Sequence, residues 1–330
     1  MSAPVTTAEP LVSVVTPFFN TEAYLAECVD SVLAQTYTNF EYILVDNQST
    51  DRSAEIVESR VKRDPRLRLV KTPRFFTQVQ NYNFALQQIS STSRYCKMVQ
   101  ADDWVFPRCL VEMVDLAEVH PNVAMVSSYY LWGRRVNGTG LSPDRTVISG
   151  REACRLHLLD EAYLFGSPTV VLFRADLVRA RQPFYEEGRL FEDGETAYEL
   201  MREHDLGFVH QILTYVRRQD DSLWGSSESF HPLELIPLIM LRRYGAEFLT
   251  AEERQRRLRE VETSYYRRLA RAWLIRREPA FWKYHREGLA NAGIELRKRD
   301  LVPHLFRAVL EAVAPPALSR RLARDGELRQ

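Results

Sequence analysis

What this chain lacks narrows it first. Only four residues are cysteine (Cys28, Cys96, Cys109 and Cys154), far apart and without a CxxC spacing. A zinc-ribbon or disulfide framework is therefore not expected, and a reducing compartment is the easier reading. No GxGxxG follows the first apolar run and no GxxxxGK[ST] occurs anywhere, which disfavours dinucleotide and P-loop phosphate cradles. Bulk charge of one sign is missing too: Lys+Arg and Asp+Glu are both 44, so no nucleic-acid partner is expected. No run approaches the ~20 apolar residues of a bilayer span. The best candidate, Leu301–Leu318, is interrupted by His304, Arg307 and Glu311 and by Pro303, Pro315 and Pro316. Met1–Pro10 has neither the basic start nor the apolar stretch of a secretion signal. The expected location is cytoplasmic, and Asn137-Gly138-Thr139 then reads as a turn rather than a glycosylation acceptor.

What is present is an ordinary globular composition, 45% apolar and 27% charged, enough to bury a sizeable core. The neutral balance hides an asymmetry. Residues 251–330 hold 19 basic and 11 acidic side chains (+8), leaving 25 against 33 (−8) in the first 250.

The first 105 residues alternate strand-like and helix-like segments. Leu11–Thr16, Phe40–Val45, Leu67–Val70 and Tyr95–Val99 are apolar runs, the first ended by Pro17. Between the first two, Thr21 can cap a helix whose apolar positions Leu25, Cys28, Val29, Val32 and Leu33 share one face. Repeated βα units of this length predict an α/β fold with a parallel sheet. Ligands in such sheets bind beyond the carboxyl ends of the strands. Pro17–Asn20, Asp46–Asp51 and Asp102-Asp103 fall there. The middle third is less regular, with strands at Val123–Leu131, Val170–Phe173 and Phe208–Val216 and an acidic cluster at Glu192-Asp193-Gly194-Glu195. From about residue 231 the pattern is helical and rich in arginine.

Three places could carry chemistry. Phe18 and Phe19 offer flat rings at the first strand end, although an extended segment must turn one of the two into the core. Asp102-Asp103 places two carboxylates side by side, which repel unless a cation or donors neutralise them. Mg²⁺ or Mn²⁺ suits such oxygen ligands, and a solvated acidic turn is the plainer alternative. Glu192-Asp193 at a helix start is either a dipole-favoured cap or the seat of a general base.

Val12-Ser13-Val14-Val15-Thr16-Pro17-Phe18-Phe19-Asn20 resembles the opening strand of family 2 glycosyltransferases. Ser31–Tyr37 and Phe40–Asp51 follow at the family's distance. Gln100-Ala101-Asp102-Asp103 then resembles its acidic metal motif, Glu192-Asp193 its catalytic-base motif, and Val216-Arg217-Arg218-Gln219 with Ser222 the segment closing the site. The resemblance covers roughly residues 11–222.

It implies a GT-A fold, a Rossmann-like half joined to an acceptor-binding half, with a C-terminal helical extension. The implied division is an N-terminal tail over 1–10, a GT-A domain over 11–230 (a nucleotide-binding half 11–105 and an acceptor half 106–230), and an Arg-rich helical extension over 231–330. By position, Thr16, Pro17 and Phe19 line the base of a nucleotide-sugar donor, Asp46 and Asn47 read its edge, and Asp102 lies near the ribose. Asp103 and Gln219 hold a divalent metal, Mn²⁺ or Mg²⁺, and Asp193 is the base of an inverting transfer to a glycan or lipid-linked acceptor. Four departures stand out. Gln100 occupies a common aspartate position, Gln219 a common histidine position, Asn47 another aspartate position, and Tyr82-Asn83 a frequent Arg-Asn pair. Asn47's carbonyl can still accept a pyrimidine N–H, which favours UDP- or dTDP-sugars, and Arg74 or Arg217 can supply the missing cation. Gln100 and Gln219 also keep open a non-catalytic relative that binds nucleotide or glycan. A nucleotidyltransferase finds no support, because no Gly-rich loop bearing Arg or Lys follows the first strand.

The basic tail is a separate matter. Arg254, Arg256, Arg257, Arg259, Arg267, Arg268 and Arg271 interleave with Leu258, Val261, Leu269, Trp273 and Leu274. Such a helix packs on the catalytic domain with a solvated arginine face, diluted by Glu252, Glu253, Glu260 and Glu262. The alternative is peripheral contact with the inner face of a membrane.

Overall fold

The computed structural model describes residues 9–217, 232–275, 277–297, 299 and 301–305. The chain forms two compact units, Met1–Arg218 and Gln219–Gln330.

The first unit is a mixed sheet flanked by helices. Strands β1 (Val12–Phe18), β2 (Phe40–Asp46), β3 (Leu67–Lys71) and β4 (Tyr95–Met98) alternate with helices α1 (Leu25–Leu33), α2 (Ser53–Val61) and α3 (Gln78–Leu86). After them come β5 (Trp104–Val105), α4 (Cys109–Val119), β6 (Val123–Trp132), β7 (Arg135–Asn137) and β8 (Val147–Ser149). The unit closes with α5 (Gly150–Leu158), β9 (Leu172–Arg174), α6 (Ala175–Ala180), α7 (Glu192–Leu200) and β10 (Asp205–Val216).

The strand order is β3-β2-β1-β4-β9-β6-β10-β5, with β7 on β6 and β8 on β10. The first four strands are mutually parallel, as the βα alternation predicts. Every residue of β1 is buried, the signature of a strand covered on both faces. Strand β9 runs antiparallel between β4 and β6. This direction sets the site, because it brings the residues just before β9 to the carboxyl end of β4.

Two local expectations change. Pro17 does not end the first strand. Val15 O accepts from Val99 N and Phe18 O from Asn47 N, so alternation turns the Pro17 nitrogen toward β4, whose ladder has already stopped at Met98. A proline costs nothing where no donor is needed. Nor does the Thr21 side chain cap α1. Its carbonyl closes a turn with Tyr24 N and Leu25 N, and its hydroxyl is buried without a partner.

The second unit contains α8 (Pro232–Phe248), α9 (Ala251–Leu274) and α10 (Pro279–Asn291). Thr250 and Glu253 form a reciprocal capping box that starts α9. Helix α9 buries Val261, Tyr265 and Leu269, and ion pairs Arg268–Glu234 and Arg242–Glu262 tie it to α8. Among the described residues, no helix is long and apolar enough to cross a membrane.

Candidate active site

The centre of the site is built where β4 ends. Val99 N, one residue past the strand, makes the last bond to Val15 O, and Asp103 N then turns back onto Gln100 O at 3.0 Å. The turn aims the Asp103 carboxylate inward, where it is 2% exposed. Thr169 donates its hydroxyl to Asp103 Oδ2 at 2.5 Å, and the Arg217 backbone N–H donates to Oδ1 at 2.8 Å. The same threonine oxygen accepts from Gln100 N at 3.0 Å. Three distant segments are thus joined at one carboxylate.

Burial, and then the neighbouring Asp102 charge, push the Asp103 acid up to about 8 against those hydrogen bonds. Burial also raises Asp102, which is only half-buried. Two hard carboxylates held against their charge fit a divalent cation of the Mg²⁺ or Mn²⁺ kind, which is commonly bound by one or two carboxylates and substrate phosphates. Among the described residues, no group of three or more His, Cys, Asp or Glu is arranged to hold a metal. Gln219, the other expected ligand, lies outside the described residues. Both Asp103 oxygens brace the fold, and Asp102 is the less buried of the two.

Arg217 is committed as well. Its Nε donates to the Asp102 carbonyl at 2.9 Å and its Nη2 pairs with Glu27 at 2.6 Å. The guanidinium lies 4.6 Å from the Tyr24 ring and 5.3 Å from Trp104, which stacks on Tyr215. Arg74 sits 4.9 Å from the Phe76 ring.

Lys97 was not singled out by motif or spacing. It is fully buried, and its Nζ donates to Thr169 O at 2.6 Å and Val171 O at 3.2 Å. The available signal was a lone charge inside the apolar run Tyr95–Val99.

Asp193 stands in the first turn of α7, its Oδ1 accepting from Gly194 N at 2.8 Å. Burial, and then the adjacent Glu192 charge, push its acid up to about 7. A Cβ at position 194 would lie 2.0 Å from the Phe191 ring, so any larger residue there obliges the ring to move. The field of Asp193 adds to burial in keeping Tyr130, Tyr163 and Tyr185 protonated. Tyr82 relates this end to the acid pair: its hydroxyl accepts from Gln100 Nε2 at 2.7 Å and Gln78 Nε2 at 2.6 Å. The charges of Asp102 and Glu192 both bear on it. Asn83 is a two-point clamp on the Tyr185 backbone, 2.8 Å in each direction.

The residues expected around a base separate into three kinds. Thr16 and Pro17 are buried in β1, the Thr16 hydroxyl 2.9 Å from Tyr42 OH. Phe18 is the core member of its pair and Phe19 the outer one, 41% exposed. Phe19 meets Phe75, itself 56% exposed, edge to face at 4.9 Å. Asp46 is buried and accepts from Ser49 N at 2.8 Å. Asn47 is engaged within the protein. Its amide donates to Phe76 O and its carbonyl accepts from Phe76 N, both at 2.9 Å. The carbonyl expected to meet a pyrimidine thus also holds the 72–76 loop.

Residues 13–181 match the profile of Glycosyl transferase family 2, half of the chain. The chain belongs to glycosyltransferase family 2. Asp193 and Arg217 lie beyond the matched stretch. The glycosyltransferase GlyG of Streptococcus pneumoniae is 27% identical over 224 residues, 64% of this chain and 72% of GlyG. EpsJ of Bacillus subtilis, an uncharacterized glycosyltransferase, is 48% identical over 61 residues, 18% of each chain. Among solved structures, S. aureus TarS 1–349 in complex with UDP-GlcNAc superposes with a TM-score of 0.61 at 18% identity, covering 85% of this chain and 80% of that one. The mannosyltransferase PcManGT of Pyrobaculum calidifontis, in complex with GDP-Man and Mn²⁺, gives 0.56 at 15% identity over 92% and 87%. At such identities the likeness is one of fold, which is GT-A. This family 2 member is therefore an enzyme of glycosyl transfer.

Proposed function

We propose that this glycosyltransferase takes its sugar from a nucleotide-diphosphate donor, a UDP- or dTDP-sugar, and passes it with inversion to an acceptor hydroxyl. The acceptor would be a growing surface glycan or its lipid-linked form, handled on the cytoplasmic side. The observation that carries the reading is the convergence of Asp102-Asp103, Thr169 and Arg217 at the end of β4, related through Gln100 and Tyr82 to the start of α7. The UDP-GlcNAc bound by TarS and the GDP-Man and Mn²⁺ bound by PcManGT support a nucleotide-sugar donor and a metal.

Each residue then has a task. Phe19 and Phe75 give the base an open aromatic edge, while Asp46 and Asn47 hold the loops that frame it. The metal expected on Asp103 would be held by the Asp102 carboxylate in its place, because hydrogen bonds engage both Asp103 oxygens, with Gln219 as the second ligand. When bound, the cation neutralises charge on the departing nucleotide diphosphate. Asp193, with an acid strength near neutrality, accepts the proton of the attacking hydroxyl. The nucleotide-binding half spans 11–105 and the acceptor half 106–230.

A thermal-shift panel with UDP, dTDP, GDP and CDP, each with and without Mn²⁺, tests the reading. A ligand at 100 times its dissociation constant stabilises by about 2.7 kcal/mol, a shift of a few degrees. Stabilisation by UDP or dTDP that depends on Mn²⁺ is expected. A shift with GDP alone, or none at all, contradicts the proposed donor.

A further inference from the structure

Two positions at which the sequence departs from the family pattern, Tyr82 and Gln100, meet in the folded chain. Tyr82 lies one turn along α3 from Gln78, and that spacing puts both side chains on one face of the helix. Gln100 arrives from the turn that follows β4. The amides of Gln78 and Gln100 both donate to the Tyr82 hydroxyl oxygen.

A phenol carries two lone pairs and one proton. The two amides take the lone pairs, so what remains is a single O–H donor, and no described residue accepts it. Tyr82 is only 7% exposed, and a buried donor left without an acceptor costs about 1–3 kcal/mol. Such a group is built to meet an oxygen that arrives with the substrate.

Its position says which oxygen. Gln100 stands two residues before Asp102, at the metal end of the site. On the other side, the Tyr82 ring lies 6.2 Å from that of Tyr185, on which the Asp193 charge bears. The inference rests on the in-line transfer proposed above. There the diphosphate leaves on the metal side and the acceptor hydroxyl attacks from the side of the base, so the transferred sugar occupies the interval between them.

We infer that Tyr82 contacts the transferred sugar, its O–H donating to a ring hydroxyl while Gln78 and Gln100 hold the phenol in place. A neutral donor suits a neutral hydroxyl, whereas the diphosphate has the cation. Gln100 then has a task of its own, which is to aim Tyr82.

The test is titration of the wild type and Tyr82→Phe with UDP, UDP-GlcNAc and UDP-glucose, all with Mn²⁺. UDP affinity should change by less than about twofold. At least one sugar nucleotide should bind roughly 3- to 10-fold more weakly to the variant, the worth of one neutral hydrogen bond. If Tyr82→Phe melts early, Gln78→Leu at the exposed start of α3 takes its place and should show the same selectivity. Equal weakening of UDP and its sugars would make Tyr82 a nucleotide contact, and unchanged affinity for all three would leave it a structural residue. Either result overturns the inference. A wild type that binds neither UDP nor its sugars contradicts the UDP donor itself and overturns both readings together.

Discussion

Thr169 donates its hydroxyl to Asp103 across a separation of 66 residues, and the same oxygen receives the Gln100 backbone N–H. The β4 end is therefore held from the side by the segment that enters β9. Thr169→Val keeps the volume but leaves the Gln100 N–H and one Asp103 oxygen without this partner. A loss of about 2 kcal/mol is expected, read as a drop of a few degrees in melting temperature. Asp102→Asn should instead lose the Mn²⁺-dependent part of nucleotide stabilisation. If the variant keeps that part, the metal returns to Asp103.

The Asn47 clamp gives a prediction against the family's more frequent residue. Asn47→Asp replaces an amide that donates to Phe76 O with an oxygen that repels it. Stability should fall by about 1–3 kcal/mol, and nucleotide affinity should fall with it as the 72–76 loop is released. Titration calorimetry with UDP and Mn²⁺ checks this. Tighter binding by the variant would mean that residue 47 reads the base directly.

Much of the first sheet half was legible because most of its strands are covered on both faces. Val12–Val15, Tyr42–Val45 and Tyr95–Val99 are near-continuous apolar runs, and polar residues crowd their carboxyl ends. What was hidden depends on contacts far apart in the chain. Pro17 looks like a strand breaker until the short reach of β4 is known. Thr169 and Arg217 reach Asp103 only because of the direction of β9 and the end point of β10. Lys97 did leave a trace, a charge in an apolar run, whereas nothing near Phe75 distinguishes it from a core aromatic.

Phe19 and Phe75 touch each other and each leaves about half of its surface open. Truncating either to Ala should lower the melting temperature by no more than a few degrees, because only about half of each ring is covered. A stacked base contact is worth ~1–3 kcal/mol, so UDP affinity should fall roughly 5- to 150-fold. Unchanged affinity in both variants would place the base elsewhere.

Asp193 sets a pH dependence. Its acid rises from 3.8 to about 7 on folding, chiefly by burial and then by Glu192. The folded state therefore holds a proton that the unfolded chain has released. The stability this contributes is full below pH about 4 and is lost as pH rises through about 7. A base must be deprotonated, so at saturating metal kcat/KM should climb through the same region. Glu192→Gln removes the like charge and should move that limb to lower pH by roughly half a unit to one unit. A limb that stays in place would detach it from Asp193.

The most direct test of Asp193 is to compare Asp193→Asn with the wild type in the same preparation, for nucleotide binding and for sugar transfer to acceptor. The substitution keeps the shape of the side chain and removes its ability to take a proton. Nucleotide affinity within about twofold, with transfer reduced by roughly 10²–10⁴-fold, is the expected result. Equal transfer by the two proteins would contradict the assignment of Asp193 as the base.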